Sequence, residues 1–367
     1  MKKTYDYLIV GAGLFGAVFA HEATERGKRC LVLDKRPHTG GNIYCENIDG
    51  INVHRYGAHI FHTDNKRVWR YVNELVEFNR YTNSPLAKYG DKIYNLPFNM
   101  NTFNQLWGTN TPAAARKKID EQRAKYADTE PANLEEQALK LCGDDIYRLF
   151  IQGYTEKQWG RPATELPAFI IRRIPFRFTY DNNYFNDAYQ GIPMGGYNRL
   201  TEALLKNVEV KTGVNYFEAK PQWDALAEKV LFTGCIDEFF GFRFGRLEYR
   251  SLRFEHERME IPDFQGNAVV NYNERQVPFT RIIEHKHFEF GQQPVTVVTR
   301  EYPADFTGSN EPYYPINDER NNALYGRYKA LADRTPEVLF GGRLAQYAYF
   351  DMDDTVEAAL QLAEQNL

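Results

Sequence analysis

The chain has 367 residues, with 45 Lys+Arg against 49 Asp+Glu and a formal net charge of −4. At roughly 150 residues per domain the length implies two or three structural units, and the mildly acidic balance excludes the diffuse basic field that non-specific nucleic-acid binding needs. Charged residues at 26% and apolar residues at 43% describe an ordinary globular protein, whereas the rings are in excess, 25 Tyr, 25 Phe and 4 Trp making 15%, as suits a core shared with a polar, ring-lined cleft.

In chain order, the first predicted element is a strand over Tyr5 to Val10. A helix runs from Gly13 to about Arg26 and is closed by Gly27, and a second strand covers Arg29 to Leu33, completing a βαβ unit. Met1-Lys2-Lys3 before the apolar stretch Tyr7 to Ala20 imitates a secretory leader, but Gly11, Gly13 and Gly16 inside it point elsewhere. Residues 111–150 read as helical: Thr111-Pro112 is a cap with proline at the first helical position, Asn133 and Glu136 resemble a capping box, and Asp144 starts a further helix after Gly143. From 245 to 301 the pattern alternates, predicting antiparallel strands over Tyr249 to Glu255, Ala268 to Tyr272, Thr280 to Phe288 and Val295 to Tyr302. A short strand at Val338 to Phe340 ends in Gly341-Gly342, and a helix over Asp353 to Gln365 closes the chain. No repeat, low-complexity tract or run of about 18 apolar residues interrupts this order. Cys30, Cys45, Cys142 and Cys235 form no CxxC pair and no regular spacing, so neither zinc nor a disulfide framework is expected, and the reduced cytoplasm is the default compartment.

Gly11-Ala12-Gly13-Leu14-Phe15-Gly16 follows a strand, opens a helix, and precedes Asp34, 34 − 11 = 23 residues on. That is the context of a dinucleotide-binding turn: Gly11 permits the tight turn, Gly13 lets the backbone approach a pyrophosphate, Gly16 lets helix and strand pack closely, and Asp34 can accept bonds from a ribose. Asp34-Lys35 through Gly40-Gly41-Asn42 adds a second bare stretch, Gly341-Gly342-Arg343 follows the last strand, and Asp351-Met352-Asp353-Asp354 opens the last helix. A helix N-terminus there stabilises negative charge on a reduced flavin ring; with no second GxGxxG, the two ends together favour one FAD over NAD, held by discontinuous segments. Taken alone, the distal end also fits a glycine turn and an N-capped surface helix. His54, His59 and His62 fit no helical ligand pattern, so no metal is expected; His285 and His287 would share one face of a strand with no functional role.

Several long motifs then resemble the bacterial UDP-galactopyranose mutase family: Tyr56-Gly57-Ala58-His59-Ile60-Phe61-His62-Thr63, Gly153-Tyr154-Thr155-Glu156-Lys157-Gln158-Trp159-Gly160, Glu165 through Pro175, Asp181 through Phe185, Thr280 through Lys286 and Pro312-Tyr313-Tyr314-Pro315. The resemblance implies a ring contraction without net redox change between UDP-galactopyranose and UDP-galactofuranose, in which only reduced FAD works. Its N5 attacks the anomeric carbon and UDP leaves; the covalent N5-galactosyl adduct opens through an iminium, recloses through the 4-hydroxyl and is recaptured by UDP. It also implies supply of galactofuranose to cell-surface polysaccharide such as lipopolysaccharide or cell wall, an external flavin reductant, and a homodimer.

Residue roles follow from the same resemblance. Arg173 and Arg281 clamp the diphosphate, with Arg173 on a mobile loop over about 166–178, Arg250 is a weaker member of that charge cluster, and His59 is counted with them at the flavin ring. Asn83, Tyr154, Thr155, Trp159, Tyr184, Phe185 and Asn271 line the UDP-sugar, while Tyr314 and Tyr349 bond the diphosphate. Beside the glycines Gly11, Gly13, Gly16, Gly41 and Gly342, the FAD contacts are Phe15, Asp34, Lys35, Asn42, His59, Ile60, Arg343, Phe350, Asp351, Met352 and Asp353. The expected fold is α/β with an α+β insert. A Rossmann-like FAD-binding domain takes 1–76, 192–244 and 316–367, a helical domain 99–172, and an antiparallel sheet domain 77–98, 179–191 and 245–315. The alternatives are an amine-oxidase-like FAD-dependent oxidoreductase on the same scaffold and a non-catalytic flavin or nucleotide sensor.

Overall fold

A computed structural model describes residues 3–367; Met1 and Lys2, the start of the leader-like run, lie outside the described residues. The N-terminal βαβ unit forms as read: β1 (Tyr5–Val10), α1 (Leu14–Glu25) and β2 (Cys30–Leu33). These strands lie inside a five-stranded, all-parallel sheet ordered 338–340, 227–232, β1, β2, 209–211. Parallel strands are covered on both faces, and the side chains divide accordingly. Ile9, Val32 and Leu231 pack with α1 and the closing helix Met352–Asn366, whereas Leu8, Leu31 and Phe232 pack with Tyr216 on the opposite face.

The helical stretch is built by the caps foreseen. Thr111 accepts from the N–H of Ala114 at 3.2 Å, and Asn133 accepts from that of Glu136 at 3.0 Å. The Glu136 carboxylate reaches back to Ala132 N–H (2.8 Å), one residue short of a closed capping box. Gly143 breaks the helix with φ +76°, a conformation other residues rarely adopt. The chain then makes a π-helical turn over Tyr147–Gln152 and enters the helix Gly153–Trp159.

The second sheet has seven strands ordered 314–315, 249–259, 296–305, 281–284, 269–272, 86–89, 92–95. All pairs are antiparallel except 269–272 with 86–89. One expectation fails here. The predicted strand Thr280 to Phe288 stops at Glu284, and His285–Glu289 is a 3-10 turn. The Lys286 ammonium donates to the carbonyls of Pro262, Gln293 and Val295, and an alternation pattern carries no trace of such distant acceptors. His285 and His287 therefore do not share a strand face. Among the described residues no helix is long and apolar enough to cross a membrane.

Candidate active site

The β1–α1 turn is a cradle made by excluding side chains. Gly11 has φ +114°, and a Cβ on Gly16 would lie 2.0 Å from the Gly11 carbonyl oxygen. Gly40 and Gly41 pass against Gly13: the Gly40 N–H donates to Ala12 O at 2.8 Å, and a Cβ on Gly41 would lie 2.9 Å from the Gly13 Cα. Asp34, buried at the end of β2, accepts from the backbone N–H groups of Ala12 (2.7 Å) and Arg36 (2.8 Å), which ties strand to turn. A cavity of about 190 Å³ runs from Gly13 past Arg36, Asn42 and His59 to Gly342, Arg343 and Met352. The bare backbone, the free N-terminus of α1 and the N-terminus of the last helix fit a dinucleotide pyrophosphate and an electron-rich ring.

This cleft meets a second cavity, about 600 Å³, with Asn42, His59, Arg343, Asp351 and Met352 lining both. Its floor comes from strand register. Asn271 pairs with Arg281, and Arg281 with Glu301, so three side chains 10 and 20 residues apart lie in one row across three strands. The Arg281 guanidinium is 2.9 Å from the buried Glu301 carboxylate. Burial opposes its charge, but Glu301 and the neighbouring phenols Tyr154 and Tyr314 outweigh that and hold it protonated. Tyr154 and Tyr349 are pushed up to about 12 by burial and Tyr314 is raised likewise, so all three present O–H donors at neutral pH. Tyr314 and Tyr349 stack at 5.9 Å, with Arg343 beside both rings.

The helix carrying Tyr154 is pinned from two sides. A Cβ on Gly153 would lie 2.2 Å from Asn273 O, and Lys157 donates to the carbonyls of Tyr272 and Phe279. Beyond Tyr154, Tyr184 and Asn271 a side chamber of about 250 Å³ opens between Pro97, Phe98, Phe150 and Asn273, its lining part aromatic and part amide.

The sequence profile of the UDP-galactopyranose mutases matches residues 149–349, and that of the NAD(P)-binding Rossmann-like domains matches residues 9–75. A probable UDP-galactopyranose mutase of Klebsiella pneumoniae is 40% identical over 366 residues, covering 99% of this chain and 94% of that protein. The chain belongs to the UDP-galactopyranose mutase family. A dTDP-fucopyranose mutase of Escherichia coli is 38% identical over 97% of both chains. The crystal structure of a reduced UDP-galactopyranose mutase superposes with a TM-score of 0.73 at 14% identity, covering 99% of this chain and 93% of that one, which is likeness of fold.

Set against the roles expected for a mutase of this family, the residues separate into groups. Asn83, Tyr154, Tyr184, Phe185, Asn271, Arg281, Tyr314 and Tyr349 line the cavity of about 600 Å³, as do His59, Ile60, Asn42, Arg343, Asp351 and Met352 on the side toward the cleft. Gly13, Phe15, Gly16 and Gly342 line the cleft. Arg173 is exposed on the irregular stretch 171–188 and lines neither cavity. Thr155 also faces neither. Trp159 and Arg250 line a separate cavity of about 870 Å³; the Arg250 guanidinium is spent on Asp305 and on the Gln158 carbonyl, 2.8 Å away, and meets the Arg281 cavity only through Gln158. Lys35 points to Glu311 (3.4 Å), and Arg36, two residues after Asp34, takes the cleft wall instead. Sequence reasoning gave no cavity role to His62, held by Asp187 at 2.7 Å and stacked on Phe185 at 3.7 Å, and did not single out the rings Phe98 and Phe150. The outward position of His62 after buried Phe61 was available from strand alternation. The one metal-type grouping among the described residues is Asp263, Glu284 and His287, none of which lines these cavities.

Proposed function

We propose that the chain interconverts UDP-galactopyranose and UDP-galactofuranose with FAD in the Gly11–Gly16 cleft. The observation that carries this is the junction. The dinucleotide cleft opens at His59 and Arg343 into a cavity whose floor is the Asn271–Arg281–Glu301 row, so a flavin ring and a sugar diphosphate would share one wall. Gly13, Gly41 and the N-terminus of α1 would hold the pyrophosphate of FAD, and Asp351 and Met352 the ring. Reduced FAD supplies an electron-rich nucleophile for the anomeric carbon.

The chain's own residues supply binding, orientation and exclusion of water. The conversion exchanges the C1–O5 bond of the hexose for C1–O4, moves one proton from O4 to O5, and breaks and re-forms the C1–O bond to UDP, leaving formula and oxidation state unchanged. Arg281 and the phenols of Tyr154, Tyr314 and Tyr349 donate to the diphosphate, which stays close enough to return. Glu301 fixes the guanidinium, and the side chamber at Phe98 and Phe150 takes the base. Arg173, on its exposed stretch, joins the clamp when that stretch closes over substrate. In the same reading the enzyme is a cytoplasmic homodimer in the three-domain partition above, kept reduced by an external donor and feeding galactofuranose to surface polysaccharide.

The Escherichia coli relative, matched over as much of its length, favours a second reading in which the substrate is a dTDP-6-deoxyhexose and the ring chemistry is the same. Dithionite-reduced protein is incubated with UDP-galactofuranose and, separately, with dTDP-fucofuranose, and the pyranose products are followed by chromatography. Turnover of neither by reduced, FAD-loaded protein refutes the mutase reading; turnover of the dTDP-sugar alone replaces the substrate.

A further inference from the structure

The turn that separates flavin and sugar is held by a histidine outside both cavities. Gly57, with φ +96°, starts the turn, and a Cβ there would lie 3.3 Å from Glu301 Oε2 and from the Phe254 ring. The turn is therefore pressed against the carboxylate that fixes Arg281 while its His59 stands at the cavity junction. Within it, His59 Nδ1 meets Gly57 O at 2.8 Å, so that nitrogen carries the proton. The backbone N–H of His59 is taken by a side chain: His54 Nδ1, at 3.2 Å.

That bond fixes the His54 tautomer, and a second backbone donor fixes the next ring. To accept, His54 must be neutral with its proton on Nε2. Its own backbone N–H donates to His285 Nδ1 (3.2 Å), so His285 carries its proton on Nε2 and donates to Thr299 Oγ1 (2.6 Å). The threonine hydroxyl then donates to His256 Nδ1 (2.7 Å). Burial pushes His54 down to about 3 and His256 to about 4, and lowers His285 well below its ordinary range, so the series is uncharged at neutral pH.

A purely structural ring would not be an imidazole. His54 is 1% exposed, stacked 4.6 Å from Phe288 and edge-on to Tyr197 at 5.6 Å, a slot fit for phenylalanine. Its Nε2 is buried without a partner among the described residues. An orphaned buried donor is destabilising, and its presence calls for a reason elsewhere in the group. Among the described residues, Nδ1 is the one His54 ring nitrogen with a hydrogen-bond partner.

We propose that His54 is a positioning residue: its unprotonated Nδ1, accepting the His59 N–H, fixes the Gly57–Ile60 turn where the flavin ring meets the sugar cavity, while His285, Thr299 and His256 fix His54 in turn. The proposal rests on the flavin site described above and deepens it.

The test uses the full-length FAD-loaded protein with His54→Phe, which fills the slot without the acceptor, and His54→Asn, whose amide oxygen stands near Nδ1. For H54F the expected result is an unchanged or higher Tm, FAD still bound, and a shifted flavin absorbance band and midpoint potential. Its kcat falls about tenfold with KM within about twofold, the size of one lost hydrogen bond. H54N recovers the potential and most of kcat. An H54F protein with the wild-type band, potential and kcat overturns the proposal, and so does an H54N protein as impaired as H54F. Should H54F fail to fold, ¹⁵N-histidine NMR of the wild type decides: His54 protonated on Nε2 supports the role, and protonated on Nδ1 removes it. Wild-type protein that binds FAD but turns over no sugar nucleotide sinks the mutase reading alone, because band, potential and tautomer still report on His54.

Discussion

Removing the Arg281 side chain does two separable kinds of damage. In the proposed function the first is loss of charge-assisted bonds to the diphosphate, about 1.5–3 kcal/mol each. The second is left behind in the protein: Glu301 is 2% exposed, and its Oε2 has the guanidinium at 2.9 Å and no other donor among the described residues. Breaking a buried pair by removing one partner costs about 3–5 kcal/mol, chiefly because the remaining charge is uncompensated. The stranded carboxylate lines the same cavity, where in that reading it would repel the incoming phosphates. Arg281→Ala is therefore expected to lower kcat/KM on the order of 10²–10³-fold. Arg281→Ala with Glu301→Gln leaves only the first kind of damage and should recover about tenfold, a coupling of about 1.4 kcal/mol. The assay is kcat/KM of the reduced enzyme with UDP-galactofuranose, with UDP affinity of the oxidised protein measured by titration calorimetry. If Glu301→Gln deepens the loss of Arg281→Ala, or leaves it unchanged, the ion pair is not what makes the arginine costly to remove.

Gly16→Ala places a Cβ 2.0 Å from the Gly11 carbonyl, forcing the cradle open at about 1–3 kcal/mol or more; FAD content read from absorbance should drop and Tm fall, and full FAD occupancy at unchanged Tm would contradict the cradle. Glu284 is fully buried, and although burial alone would push its carboxyl up, bonds from His287, Thr296 and the N–H groups of Gln265 and Phe264 hold it at about 2. A depressed folded-state value gives stability that is present above the ordinary 4.5 and lost as pH falls through about 2, worth about 3 kcal/mol at pH 7 from about 1.36 kcal/mol per pH unit. Urea unfolding should show wild type exceeding Glu284→Gln by about that much at pH 7 and by less than half of it near pH 3, whereas a pH-independent gap would remove the charge from the explanation. Arg173→Ala should leave Tm and FAD binding alone, because the side chain is exposed, while kcat/KM drops roughly ten- to a hundredfold; near-wild-type turnover would exclude Arg173 from the clamp.

What the sequence alone determined is what short-range sterics determine. Gly11 turns the chain at a φ other residues avoid, Gly16 leaves room for the Gly11 carbonyl, Thr111 and Asn133 satisfy helix ends within three residues, and Gly143 stops a helix at another positive φ. The family motifs named many of the cavity-lining side chains because those runs are long. Tertiary structure decided what depends on register and distant acceptors. Asn271, Arg281 and Glu301 became neighbours because three strands pair in one alignment, and a slip of one residue would turn each to the other face. The strand expected through Phe288 ended at Glu284 because partners far along the chain claim Glu284 and Lys286. Arg250 was spent on Asp305, Arg173 was left in solvent, and His54 reached across 231 residues to His285. Local geometry is written in allowed backbone angles; which side chains meet is fixed only when the sheets close.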